Sequence, residues 1–174
     1  MSLISPTSGA AIPAVLVFGY GNPSRGDDAL GPLLVERLES VLTAEIRQNA
    51  GGVECLTDFQ LQVEHALDLV DRQLILFVDA HLDCPAPWQF SALEPADDAS
   101  YSTHAISPAS VLRVYQQLKA ANPPPSFLLG IRGERFELGE PLTKGAEANL
   151  ASALELVKAL CLEPQVSYWR TRCN

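Results

Sequence analysis

Three side chains from separate parts of the chain could together bind a divalent cation. Asp28 stands in a turn after an apolar run, Asp79 ends a second apolar run, and His104 comes shortly before a helical pattern. Sites in open α/β sheets lie beyond the carboxyl ends of the strands, and all three residues are predicted at that edge. Two carboxylates and an imidazole suit a divalent first-row metal and leave positions for water or substrate. We therefore predict Asp28, Asp79 and His104 as metal ligands and catalytic residues.

Each of these residues also has a simpler interpretation. The adjacent acids Asp27 and Asp28 could stabilise the start of a helix, whose free N–H groups carry partial positive charge. An aspartate at a strand end often caps a turn, and a loop histidine is more often solvated than bound to a metal. His81, two residues beyond Asp79, is an alternative ligand or a group that supports one. We expect His65 to be exposed in the middle of a helix.

The turn before Asp28 is rich in glycine but does not fit a nucleotide-binding loop. Gly21 and Gly26 have Walker A spacing, yet Asp27 and Asp28 follow where that motif has Lys and Ser or Thr. Two carboxylates would cancel the attraction of a helix N-terminus for phosphate. A nucleotide-binding domain is therefore the poorer hypothesis, and it predicts thermal stabilisation by nucleotides but none by nickel or cadmium.

Composition and charge limit the class of protein. The 174 residues, 47% of them hydrophobic, fit one domain over 1–174, with a loose leader at 1–13 and a short tail at 164–174. The net charge of -9 argues against nucleic acid or an anionic membrane as a partner. The sequence shows neither a signal-peptide pattern nor a membrane span, so we expect a cytoplasmic protein.

The four cysteines are scattered along the chain and form no CxxC pair. This spacing predicts neither a zinc knuckle nor a disulfide framework. A nucleophilic cysteine needs a nearby base and a lowered pKa, and no motif supplies either. A cysteine-dependent enzyme is therefore not favoured.

The elements that must position the site follow an α/β pattern. The run at 74–78 is apolar at every position, as in a parallel strand covered on both faces by helices. The run at 88–93 follows it too closely for a crossover helix and should be antiparallel. Further strands are predicted at 14–18, 44–48 and 127–131, and helices at 28–42, 60–70, 108–120 and 144–162. The result is a three-layer α/β/α domain.

The same segments resemble the nickel-iron hydrogenase maturation proteases, peptidases that trim the C-terminus of the hydrogenase large subunit. The matching motifs are VFGYGNPSRGDDALG at 17–31, LFVDA at 76–80, STHAISP at 102–108 and FLLGI at 127–131. The resemblance implies a five-stranded mixed sheet of phosphorylase/hydrolase-like type. Its implied strand order is 2-1-3-5-4, with the fourth strand antiparallel.

The resemblance also implies the chemistry. Asp28, Asp79 and His104 would bind nickel that the large-subunit precursor carries, so no permanently bound cofactor is expected. The implied activity is that of an aspartate-dependent endopeptidase that removes the precursor's C-terminal extension after nickel insertion. The expected nucleophile is a water molecule, activated either by a carboxylate or by the metal.

Two features of this resemblance leave alternatives open. Many relatives carry a further acid in a DGG turn, and the corresponding residues 57–60 contain Asp58 without the glycines. The same three ligands would also serve a non-catalytic nickel-binding chaperone or sensor. We expect a monomer whose partner is the precursor.

Overall fold

The computed structural model describes residues 11–98 and 105–174, and its centre is a five-stranded sheet. The sheet has the order β2-β1-β3-β5-β4. Only β4 is antiparallel to its neighbour, β5, and the other pairs are parallel. The strands are β1 (Val15–Tyr20), β2 (Val53–Asp58), β3 (Leu74–His81), β4 (Trp88–Leu93) and β5 (Ser126–Arg132). The predicted strand order and the antiparallel fourth strand are confirmed.

Helices cover both faces of this sheet. They are α1 (Leu30–Val41), α2 (Ala44–Gln48), α3 (Pro108–Lys119), α4 (Lys144–Leu162) and α5 (Val166–Thr171). The cores of α1 and α4 pack on one face, together with the buried Trp169 of α5. A 3-10 helix, Val63–Leu69, and α3 pack on the other. The three-layer α/β/α architecture is therefore confirmed, and among the described helices none is long and apolar enough to cross a membrane.

The predicted strand at 44–48 is wrong, because this segment forms α2. The Thr43 side chain caps that helix by accepting the N–H of Ile46 at 3.3 Å. The strand begins after Gly52, where Val53 lies opposite Val15 of β1. Gly52 accepts the N–H of Val15 at 3.1 Å, which brings the chain back beside β1.

Two other predicted helices begin differently from expectation. The helix predicted at 28–42 opens with a 3-10 turn, Gly26–Ala29, before α1 starts. The helix predicted at 60–70 is the shorter 3-10 helix Val63–Leu69. The helices predicted at 108–120 and 144–162 match α3 and α4 closely. All four cysteines are free, as expected.

The strand order places a crevice between β1 and β3. The chain leaves β1 towards β2 on one side, whereas it leaves β3 towards β4 and β5 on the other. Connections that diverge in this way open a cleft at the carboxyl ends of the two strands. Both predicted carboxylate ligands belong to segments at this edge.

Candidate active site

Asp79 lies near the carboxyl end of β3, on the crevice. It is paired with Gly130 of β5. Because side chains alternate along a strand, Asp79 shares a face with Phe77, whose side chain packs against the core of α3. The side chain of Asp79 is 23% exposed, so it is neither free in solvent nor sealed in the core.

Asp28 lies in the 3-10 turn that follows β1. Its Oδ2 accepts the N–H of Asn22 at 2.8 Å, which closes the turn. Gly21 has φ +142°, and a Cβ built there would lie 2.0 Å from the Asp28 carbonyl oxygen. This position of the turn therefore requires glycine, and the turn fixes Asp28 beside the end of β1.

The surroundings of Asp79 raise its pKa above that of an aspartate in water. Burial raises the pKa of Asp79 from 3.8 to about 7, against hydrogen bonds from the Ala80 N–H and the Tyr20 hydroxyl, while the negative charge of Asp28 adds to the increase. The Ala80 N–H donates to Oδ1 at 2.8 Å. A carboxyl group that titrates near neutral pH can act as a general base, or can bind a metal once its proton is lost.

Two further side chains complete the surroundings of Asp79, and the sequence motifs alone identified only one of them. Burial, followed by the charge of Asp79, raises the pKa of Tyr20 well above its ordinary value, so the hydroxyl remains a donor. His81 Nε2 lies 3.7 Å from Asp79 Oδ2. Burial lowers the pKa of His81, although Asp83 opposes this. His81 therefore lies beside Asp79, and its role as a supporting group or an alternative ligand stays a prediction. Tyr20 was missed.

Asp27, the neighbour of Asp28, has a different position. It is fully buried, and its carboxylate accepts four hydrogen bonds from residues between 134 and 143. The donors are the N–H groups of Glu134 at 2.7 Å, Arg135 at 3.1 Å and Thr143 at 2.7 Å, and the Thr143 hydroxyl at 2.8 Å. Burial would raise the pKa of Asp27, but these bonds together hold it below its ordinary value. Asp27 therefore anchors residues 134–143 and the start of α4.

The prediction for His104 lies outside the described residues. Shortly after it, the Ile106 N–H donates to the Leu61 carbonyl at 3.2 Å, and Leu61 follows the carboxyl end of β2. Within 11–98 and 105–174 no group of three or more His, Cys, Asp or Glu side chains could hold a metal ion. Asp28 and Asp79 both lie at this edge of the sheet, and the negative charge of Asp28 raises the pKa of Asp79. Their role as metal ligands stays a prediction.

Asp58 and His65 form a separate pair at the end of β2. Asp58 Oδ2 lies 3.2 Å from His65 Nε2, and Nδ1 of the same ring accepts the Gln62 N–H at 2.9 Å. The ring also packs edge-on against Phe18, with 4.8 Å between ring centroids. The prediction that His65 is exposed is therefore wrong, because the 3-10 helix turns its ring onto the sheet. Asp58 supports this histidine, and its role as a further site acid stays a prediction.

Solved structures of known proteins share this architecture. The hydrogenase maturating endopeptidase HybD of Escherichia coli is 28% identical, with a TM-score of 0.65 over 86% of this chain and 93% of that one. A solution structure of an Escherichia coli endopeptidase is 26% identical, with a TM-score of 0.66 over 86% of this chain and 93% of that one.

The same fold occurs in a more distant protein. The NiFe hydrogenase maturation protease HycI of Thermococcus kodakarensis is 21% identical, with a TM-score of 0.64 over 84% of this chain and 91% of that one. No protein-family model and no curated protein matches the sequence. The turn motif, the sheet order and these structures together show that the chain is similar to the hydrogenase maturation endopeptidases.

Proposed function

We propose that this chain removes the C-terminal extension of a nickel-iron hydrogenase large-subunit precursor after nickel has been inserted. The observation that carries the proposal is Asp79, a largely buried carboxyl group with a pKa near 7, next to Asp28 in the crevice. Perturbed carboxyl groups in clefts are typical of catalytic and ligand-binding sites. The endopeptidase relatives support peptide-bond hydrolysis as the reaction.

The precursor's nickel would be the recognition element. Asp28, Asp79 and His104 would complete the coordination of that ion, so the scissile bond docks only in nickel-loaded precursor. Asp79 points to the face that α3 covers, and His104 precedes α3 in the chain, which supports a shared site. Coordination bonds that replace bound water give a selectivity that surface contacts alone would not supply.

The attacking group would be a water molecule. It adds to the carbonyl carbon of the scissile bond, the C–N bond breaks, and the leaving nitrogen takes up a proton. Ionised Asp79 could accept the proton of this water, with the Tyr20 hydroxyl orienting the carboxylate. In the alternative, the substrate's nickel lowers the pKa of the water and Asp79 only binds the metal.

The test is incubation of purified nickel-loaded precursor with wild-type protein, Asp79→Asn and His104→Ala, followed by mass spectrometry. We expect the wild type to trim the precursor and both variants to be slower by about 100-fold or more while remaining folded. Asp71→Asn is the matched control. Asp71 is exposed, precedes β3 at the opposite edge of the sheet and has φ 62°, a conformation that asparagine tolerates. Unimpaired trimming by both site variants would end the proposal.

The same assay separates the alternative of a non-catalytic nickel-binding chaperone or sensor. That alternative predicts a stable complex with nickel-loaded precursor whose mass does not change. Nickel-free precursor is the second control, because nickel recognition requires that it is neither bound tightly nor trimmed.

A further inference from the structure

Gly130 of β5 lies directly opposite Asp79 of β3 and leaves space beside the Asp79 carboxylate. Paired residues on neighbouring strands project from the same face of a sheet, so a side chain at position 130 would stand next to Asp79. The ring of His81 occupies this space instead. A Cβ built on Gly130 would lie 2.6 Å from Nδ1 and 2.9 Å from Cγ of His81. The glycine therefore makes room for the His81 ring.

The backbone that carries His81 is fixed to β5. His81 is paired with Arg132, and its carbonyl accepts the Gly133 N–H at 2.9 Å. The turn that follows is tied to the same strand, because Arg132 Nη1 donates to the Cys84 carbonyl at 2.8 Å. The position of the ring therefore depends on the side-chain torsions of His81 and on its contact with Gly130.

This ring position brings one nitrogen of His81 towards the less constrained oxygen of Asp79. Oδ1 of Asp79 accepts the Ala80 N–H at 2.8 Å, whereas Oδ2 lies 3.7 Å from His81 Nε2. A distance of 3.7 Å is too long for a hydrogen bond. Contacts of this kind are often long in the free enzyme and shorten when the substrate is bound. The His81 ring is thus placed to hold the second oxygen of Asp79 during the reaction.

Open space on the other side of the ring gives it somewhere to move. A cavity of about 370 Å³ lies at the ends of β3 and β4, and it is lined by Ala80, His81, Leu82, Asp83, Cys84 and Gln89. The three atoms nearest to a Cβ at position 130 all belong to the His81 ring and none to the backbone. A methyl group at position 130 would therefore push the ring away from Asp79 and leave the strand in place.

We propose that His81 is a positioning residue for Asp79 and that Gly130 keeps the His81 ring in its working position. This inference rests on the proposed function and deepens it. In the complex with the precursor, the N–H at His81 Nε2 donates to Asp79 Oδ2 and sets the direction of the carboxylate. Because His81 acts on the orientation of a reacting group, its loss should lower kcat and leave the KM nearly unchanged.

The test is a double-mutant cycle of Gly130→Ala and His81→Ala in the trimming of nickel-loaded precursor. We expect each single variant to lower kcat about ten-fold. The double variant should be no slower than His81→Ala, because the added methyl group then has no ring to displace. Additive losses, or an unchanged kcat in Gly130→Ala, would overturn the proposal and leave the proposed function intact.

Two further variants separate positioning from a general structural effect. His81→Gln keeps an N–H donor on a side chain of similar reach, so it should recover most of the kcat that His81→Ala loses. His65→Ala is the matched control background, because His65 contacts Asp58 and Phe18 rather than Gly130. Gly130→Ala should lower kcat by the same factor in this background as in the wild type. A kcat in His81→Gln as low as that in His81→Ala would argue against the N–H donor and overturn the proposed role.

A measurement on the protein alone keeps the inference separate from the peptidase assay. Cε1 of His81 lies 3.0 Å from the Cβ position of residue 130, so an NOE between the His81 ring proton on Cε1 and the Gly130 Hα protons is expected in the wild type. The NOE between this ring proton and the Hα of residue 130 should weaken in Gly130→Ala. Absence of the NOE in the wild type would overturn the ring position. Failure of the wild type to trim, with the NOE present, would overturn the proposed function and with it the role of His81 in the reaction.

Discussion

Two aspartates near the same edge of the sheet respond to burial in opposite ways. Asp27 is fully buried, yet its pKa lies below the ordinary value. Asp79 keeps 23% of its side chain exposed, yet its pKa is raised to about 7. The difference lies in hydrogen bonds, because Asp27 accepts four from Glu134, Arg135 and Thr143, which together outweigh the cost of burying its charge.

The comparison distinguishes an aspartate with a structural role, Asp27, from one that we propose takes part in the reaction, Asp79. Asp27 is fully buried and accepts four hydrogen bonds from a loop and a helix start, three at Oδ2 and one at Oδ1, so its carboxylate is closed off from a metal or a substrate. Asp79 accepts fewer hydrogen bonds, so its ionised form stays disfavoured until a cation arrives. Depth of burial therefore does not single out the candidate catalytic acid, whereas incomplete compensation of a buried charge is typical of functional sites.

The largest expected effect is that of Asp27→Ala on stability. Removing this carboxylate leaves three N–H groups and a hydroxyl without their acceptor, so we expect the free energy of unfolding to fall by about 4 kcal/mol. Asp28→Ala removes one hydrogen bond, from Asn22, and should cost about 1 kcal/mol. Urea denaturation measures both, and equal losses would refute the distinction between the two acids.

The second effect is the pH dependence that Asp79 gives to stability. Its folded-state pKa of about 7 exceeds the unfolded value of 3.8, so the folded state retains a proton that the unfolded state loses. The contribution of the Asp79 carboxyl group to stability is complete below its pKa in the unfolded state. It is lost as the pH rises through its pKa in the folded state. We expect Asp79→Asn to be more stable than wild type at pH 8 by about 1–3 kcal/mol, with no such gain at pH 3. Denaturation curves that differ equally at both pH values would argue against the raised pKa.

A smaller effect follows from Tyr20→Phe. The Tyr20 hydroxyl donates to Asp79 and lowers its pKa, so its removal should raise the Asp79 pKa further. Carbonyl-carbon NMR titration of Asp79 would measure the change. A titration midpoint that stays fixed or moves down would show that Tyr20 does not support this carboxylate.

The smallest expected effect is the change in the pKa of Asp79 when the negative charge of Asp28 is removed. Asp28 raises the pKa of Asp79 through its negative charge, so Asp28→Asn should shift the Asp79 midpoint downward. Raising the salt concentration should reduce the difference between this variant and wild type, because part of the interaction crosses exposed space. An upward shift would mean that the two carboxylates do not face each other across the crevice.

Much of the fold could be predicted from the sequence because the decisive signals are local. Continuous apolar runs mark β3 and β5, Ser107 and Pro108 mark the start of α3, and the short connection into β4 requires it to be antiparallel. The second strand was predicted at 44–48, and the true strand at 53–58 was not predicted, because both segments are short and weakly patterned. Pairing of Val53 with Val15 decides which of them is the strand, and that contact joins residues far apart in the chain.

The candidate site was predicted in part for the same reason. Asp28 and Asp79 follow apolar runs, and their place at the sheet edge could be inferred from topology. The role of Asp27 could not be inferred, because its donors come from residues 134–143 and nothing local to the turn indicates that this loop returns there. Tyr20 was missed because its position in an apolar strand is typical of a core residue.

The most direct measurement is a carbonyl-carbon NMR titration of the wild-type protein that resolves Asp27 and Asp79. The account predicts that Asp79 titrates near pH 7 and Asp27 below 3.8. Titration of Asp79 at an ordinary aspartate pH, or of Asp27 above Asp79, would contradict the assignment of one acid to structure and the other to chemistry.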